Sequence, residues 1–345
     1  MPADALRRRF WSVAHRGADA ADALPDEGRL GSFDRATGWL NSGPLTAESL
    51  RGRVVLVGFW TYTCVNWLRT LPYLRAWHAA YADAGLTIVG VHTPEFGFEH
   101  DVANVEARTR ALGIEYPVAL DADYGVWNDF ANHYWPAVYL ADASGRLRYH
   151  HFGESDYAMT EMAVQQLLMA AGAAEVDLGL AQPQAHGLEV AADWSTLRSP
   201  ETYLGYGQSD GFASEDAAQY DRPRRYSVHP ELPLNAWDLA GEWTQTRTAA
   251  VLHEAGGRLA YAFHARDVNL VMGPSVPGTA VPFRVLLDGQ PVGDAHGTDV
   301  DEGGHGLLDR QDTYQLVRQR GRIADRLVEV EFEEDGVELY CVTFG

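Results

Sequence analysis

The chain has 345 residues, 46% of them hydrophobic and 11% aromatic, which exceeds one average domain and provides for sizeable cores, so two globular domains are expected. A formal charge of −21 excludes nucleic acid and anionic membrane surfaces as partners, because both repel an acidic protein at long range, and the run Arg7-Arg8-Arg9 is too short to change that. The first 30 residues hold no apolar stretch of signal-peptide length and no segment approaches the roughly 18 apolar residues of a membrane span, so a cytoplasmic protein without membrane contact is expected.

Residues 1–25 are rich in Ala, Asp and Arg without sustained periodicity and read as an N-terminal extension. Val54 to Trp60 is an apolar, β-branched run of the kind buried on both faces of a sheet. From Cys64 to Ala84 the spacing turns helical: Leu68, Leu71, Leu74, Arg75 and His78 follow a period near 3.6, and Pro72 predicts a kink. Leu86 to His92 is again strand-like, a helix is expected between Phe98 and Leu112, a short strand over Tyr116 to Leu120, and a helical segment from Tyr124 to Asn132. Ala137 to Ala141 and Leu147 to Phe152, joined by Asp142-Ala143-Ser144-Gly145, form a hairpin by turn chemistry, and a last helix spans Tyr157 to Ala171. This alternation predicts a mostly parallel sheet with helices on both faces, over residues 26–172.

Residues 173–198 have the small and polar composition of a linker. Over 199–345 the runs Leu259 to His264, Val268 to Met272, Phe283 to Leu287, Tyr314 to Arg318 and Leu327 to Phe332 alternate with Gly, Pro and Asp clusters, which predicts an all-β sandwich. Cys341 belongs to a terminal strand and reads as buried; Cys64 and Cys341 are too far apart for a disulfide framework, and both are expected as free thiols.

Cys64 falls just past a buried strand at the start of a helix, where free backbone N–H groups and the helix dipole favour a thiolate. The other reading is a buried, inert cysteine. Phe59-Trp60-Thr61-Tyr62-Thr63-Cys64-Val65-Asn66-Trp67-Leu68-Arg69-Thr70-Leu71-Pro72 resembles the redox segment of thioredoxin-like proteins of the TlpA and DipZ type. Pro72 stands where thioredoxins carry the proline of the active-site helix, and Trp135-Pro136 resembles the cis-proline that faces the sulfur. Gly90 to Phe96 and His150 to Glu154 are similar to the DipZ-type redoxin domain, and Ser199 to Tyr206 with His264 to Pro274 are similar to the β-domain that follows it. The resemblance implies a thioredoxin α/β fold followed by a jelly-roll sandwich related to carbohydrate-binding modules, without the membrane domain of the longer relatives.

Two departures from that pattern bear on activity. Trp67 replaces the second cysteine of Cys-x-x-Cys, so no disulfide forms within the motif, and Gly58 stands where thioredoxins place a buried acid. Chemistry is then limited to one sulfur: Cys64 attacks a disulfide or a peroxide, and an external thiol, small or from a partner protein, resolves the product. Pro136 shapes the groove, and Glu95, after the next strand, replaces the missing acid. Thr61-x-x-Cys64 is similar to part of the peroxiredoxin motif, but Val57 stands in place of its proline, which ranks disulfide exchange above peroxidase activity. Trp60, Trp67 and Trp135 line a substrate surface on this reading, with core packing the alternative for Trp67. A competing function is a redox-inactive module whose groove and β-domain hold a peptide, carbohydrate or other small ligand.

Weaker signals are His92, Glu95, Glu99 and His100, with His150 and His151, as metal ligands, and an acidic Gly-rich stretch from Asp294 to His305 as a calcium site. Neither has an established ligand spacing; solvated loops are the simpler reading, and no cofactor or metal is expected. Trp194, Trp237 and Trp243 read as residues of the sandwich core or the domain interface rather than as a sugar-stacking platform.

Overall fold

The structure, a computed structural model, describes residues 24–214 and 218–345. Residues 1–23 of the expected N-terminal extension lie outside the described residues. The chain divides into two compact units, Met1–Ala185 and His186–Gly345.

The first unit is built on a seven-stranded sheet. In chain order its elements are β1 (Gly28–Arg29), β2 (Gly38–Leu40), β3 (Val54–Trp60), α1 (Val65–Tyr81), β4 (Leu86–His92), a 3-10 turn (Gly97–His100), α2 (Val102–Ala111), β5 (Val118–Leu120), α3 (Gly125–Asp129), β6 (Ala137–Ala141), β7 (Arg146–Phe152) and α4 (Tyr157–Ala170). The strand order is β1-β7-β6-β3-β4-β5-β2. Only β3 with β4 and β4 with β5 run parallel; the hairpin and the two short edges are antiparallel, so the expectation of a mostly parallel sheet is corrected to a mixed one.

Every residue of β3 is buried, as its unbroken apolar run requires. Val55, Val57 and Phe59 pack with Phe33, Val89, Val91, Trp127 and Phe130 on one face. Period-two alternation turns Leu56, Gly58 and Trp60 to the other, where a Cβ at Gly58 would meet Leu74 of α1. α1 runs through Pro72, which removes one N–H donor without ending the helix. The single helix expected over Phe98 to Leu112 is instead two elements, because Asp101 takes extended backbone and caps α2, its side chain accepting from Ala103 N–H. In the hairpin turn Asp142 Oδ1 accepts from the Ser144 and Arg146 N–H groups.

The segment expected as a linker, residues 173–198, is divided between the units. Ala181 N–H donates to both oxygens of buried Glu161 of α4, and Gln165 donates to the carbonyl of Gly179. From His186 onward the chain belongs to the second unit, where Arg318 holds the Gly187 carbonyl and Arg266 that of Ala191.

The second unit is an all-β sandwich of β8 (Thr202–Tyr203), β9 (Arg224–Tyr226), β10 (Trp237–Gln245), β11 (Ala250–Leu252), β12 (Arg258–Phe263), β13 (Asp267–Pro274), β14 (Val281–Leu287), β15 (Gln290–Pro291), β16 (His305–Leu308), β17 (Asp312–Arg318), β18 (Arg326–Phe332) and β19 (Val337–Phe344), of which β10, β13 and β19 are the longest. β10 serves both sheets: Trp237 to Ala240 pair with β12, and Trp243 to Gln245 pair with β11 (Ala250–Leu252). The change of sheet falls at Gly241, whose φ of +99° is open to glycine and strained for other residues. Trp237 and Trp243, on either side of it, are fully buried in the core, with their indole N–H groups on the carbonyls of Asp210 and Ala240. Trp194, by contrast, is 59% exposed. Cys341 is buried in β19.

Candidate active site

Three loops converge at one end of the first unit's sheet. Register sets this: Trp60 pairs with His92 and Phe59 with Ala137, so the loops that leave β3 and β4 and the one that enters β6 meet at the same edge. Cys64 is the N-cap of α1, with extended backbone (φ −69°, ψ 106°) and a half-buried side chain. Its N–H donates to Thr61 at 3.3 Å and its carbonyl accepts from Leu68 at 2.9 Å, which closes a tight turn over Thr61 to Cys64 and opens the helix at the sulfur. No acidic residue lies in the first turn of α1, so the positive end of its dipole is not offset there. The peptide bond Trp135-Pro136 is cis, and Pro136 directly precedes β6.

Of the other predicted site residues, Trp135 is half-buried, against Trp127 with ring centroids 4.3 Å apart. Trp60 and Trp67 are 0% and 1% exposed and stack on each other at 4.2 Å. A substrate surface on those two indoles is therefore corrected to core packing. Gly90 makes room for the pair, since a Cβ there would stand 3.0 Å from Trp60 Nε1. Glu95 is half-buried after β4, and its N–H donates to Glu99.

Glu99 was legible only as a member of a possible metal set, and the structure gives it a different place. Its carboxylate is buried and accepts from the Thr63 hydroxyl at 2.6 Å, from Glu95 N–H at 2.7 Å and from Phe96 N–H at 2.9 Å, tying the loop after β4 to the residue before Cys64. Burial pushes its pKa up, opposed by hydrogen bonds from the threonine hydroxyls and backbone. Asp121 is similar: it accepts from Thr93, Val126 and Trp127, and burial raises its pKa. His150 and His151 diverge, one to Glu27 and the other toward Asp156. In the second unit Asp299 and Asp301 accept hydrogen bonds from Gln315 and His305 within their own loop contacts.

A parallel βαβ core extended by a hairpin, with one cysteine at the start of the first long helix and a cis-proline before the hairpin, defines a thioredoxin-like protein. Comparison with known proteins carries this further. The AhpC/TSA family model matches residues 35–150, and the model of the thioredoxin-like C-terminal domain matches residues 199–345. Protein DipZ of Mycobacterium tuberculosis is 38% identical over 282 residues, which are 79% of this chain and 38% of that protein. Thiol-disulfide oxidoreductase YkuV of Bacillus subtilis is 31% identical over 131 residues, 38% of this chain and 87% of YkuV. NHL repeat-containing protein 2 of Homo sapiens is 28% identical over 146 residues, 41% of this chain and 20% of that protein. The chain thus belongs to the thioredoxin-like thiol-disulfide oxidoreductase family, with a DipZ-type β-domain, and spans little more than a third of the length of DipZ itself.

Proposed function

We propose that this protein is a monothiol oxidoreductase in which Cys64 is the sole nucleophile. The observation that carries the reading is the half-exposed Cys64 at the N-terminus of α1, at the sheet edge that also presents Pro136. The Cys64 thiolate attacks one sulfur of a disulfide, forming a mixed disulfide and expelling the other sulfur as a thiolate. An external thiolate then attacks the mixed disulfide at the substrate sulfur, forms a new disulfide with it and returns Cys64 as thiolate. The proton lost by the external thiol goes to the expelled thiolate, and Glu95 is the proposed carrier. Trp67 fills the place of an internal resolving thiol, so resolution comes from outside, from a small thiol or a partner-protein thiol, in keeping with a reducing, cytoplasmic setting.

The test is alkylation of Cys64 against pH in a Cys341→Ser background, with mass spectrometry after brief exposure to a small disulfide and to peroxide. A midpoint well below the free-cysteine value of about 8.5, with a rapid mixed disulfide, is expected. An ordinary midpoint with no adduct refutes the reading and turns attention to ligand binding around Trp135, Tyr134 and Phe152.

A further inference from the structure

We infer that Arg69 and Glu154 form a positioning pair that holds the Pro136 segment against the Cys64 motif. The inference rests on the thiol-exchange reading and adds to it the groups that set the geometry of substrate approach.

Arg69 lies in the second turn of α1. Its Nη1 is 2.8 Å from Glu154 Oε1, with the two side chains 2% and 6% exposed. The same nitrogen reaches Asn66 Oδ1, inside the Cys64-to-Trp67 motif, at 3.5 Å. Glu154 follows Gly153, whose N–H donates to the Pro136 carbonyl at 2.8 Å. One line of contacts therefore joins Asn66, Arg69, Glu154, Gly153 and Pro136, from the nucleophile's motif to the cis-proline that precedes β6.

Desolvating two opposite charges consumes most of the attraction they gain, so a buried ion pair contributes little to stability while fixing two segments in one arrangement. Burial outweighs the guanidinium at Glu154, whose carboxyl is held above its ordinary range. Stability at this junction has another source. Tyr73 of α1 stacks on Tyr157 of α4 at 3.8 Å, and the Thr70 and Tyr157 hydroxyls lie 3.4 Å apart. Those contacts remain when both charges are replaced, and α1 then stays joined to α4 while the Pro136 segment loses its tie to the motif.

The experiment compares the parent (full chain, Cys341→Ser) with Arg69→Met/Glu154→Leu and with Arg69→Lys. Three quantities are read: circular dichroism, the rate of Cys64 alkylation by iodoacetamide, and the rate of mixed-disulfide formation with a peptide disulfide. The paired variant is expected to fold and to alkylate at the parent's rate, but to form the mixed disulfide about tenfold more slowly, because a displaced segment no longer orients the peptide. Arg69→Lys keeps the charge but loses the guanidinium whose Nη1 meets both Glu154 and Asn66, and is expected to fall between the two. If the paired variant does not fold, Arg69→Lys decides: slowed exchange with unchanged alkylation supports the inference, and exchange at the parent's rate overturns it. A folded paired variant that exchanges at the parent's rate, or one that slows in exchange and alkylation alike, also overturns it. A parent that forms no mixed disulfide refutes the thiol-exchange reading instead, which is a separate result.

Discussion

Replacing His92 with glutamine should make the first unit less sensitive to acid. His92 ends β4 at 2% exposure, edge-on to Trp60 at 4.8 Å and stacked with Tyr62 at 5.8 Å, and its Nε2 has no hydrogen-bond partner among the described residues. Burial lowers its pKa from 6.5 to about 3; a hydrogen bond to its own backbone opposes the shift and His100 adds to it. The unfolded chain therefore takes up a proton near pH 6.5 that the native protein refuses until about pH 3. Stability is full above that window and falls as pH drops through it, by about 1.4 kcal/mol per unit, or about 2 kcal/mol between pH 8 and pH 5. Glu99, Asp121 and Glu154 act with the opposite sign, since their raised values mean stability lost as pH rises through them. Comparing parent with variant cancels those contributions. Urea unfolding followed by tryptophan fluorescence at pH 8, 6 and 5, with Cys64 labelling to assign the transition to the first unit, supplies the free energies. At pH 8 the variant is less stable through lost packing, and at pH 5 the gap should narrow by about 2 kcal/mol. A gap of the same size at both values would refute the assignment of a buried neutral imidazole.

Four further outcomes follow from packing and are read by thermal or urea unfolding. Gly58→Ala places its Cβ 4.0 Å from Leu74 Cδ1 and should be neutral or stabilising by up to about 1 kcal/mol, whereas Gly90→Ala presses on Trp60 Nε1 at 3.0 Å and Tyr116 Cε2 at 3.1 Å and should destabilise. Trp67→Ala removes an indole from the buried Trp60 stack and should cost about 3–5 kcal/mol. Gly241→Ala forces a side chain onto a φ of +99° and within 3.1 Å of Gly257 Cα, and should cost about 1–3 kcal/mol in the second unit.

The central elements of the first unit are legible because they carry long signals: an all-apolar β3, a helical period over α1, and turn chemistry at Asp142 to Gly145. β1 and β2, with two and three residues, are too short to show a period, and without them the sheet looks more parallel than it is. β10 escapes for another reason, since Gly241 interrupts the alternation of its inward residues Trp237, Leu239 and Trp243 where the strand leaves one sheet for the other. In the site, Cys64 and Pro136 are visible as motif residues. Whether Trp60 and Trp67 face a ligand or each other depends on a stacking distance that composition does not encode. The same limit separates Glu95 from Glu99: four residues apart in one loop, they differ in which carboxylate meets the Thr63 hydroxyl. Arg69 and Glu154, 85 positions apart, have no local signal of their partnership.

The segment after α4 has a practical consequence for where this protein can be cut. The AhpC/TSA model match ends at residue 150 and α4 at Ala170, but hydrogen bonds of the first unit continue to Ala181. A chain ended at Gly172 would strip Ala181 from the Glu161 carboxylate and Gly179 from Gln165, leaving two interior polar groups on α4 short of partners. A protease or an expression boundary placed at the end of that match, or at the end of α4, would therefore uncover polar groups that the intact first unit keeps satisfied in its interior.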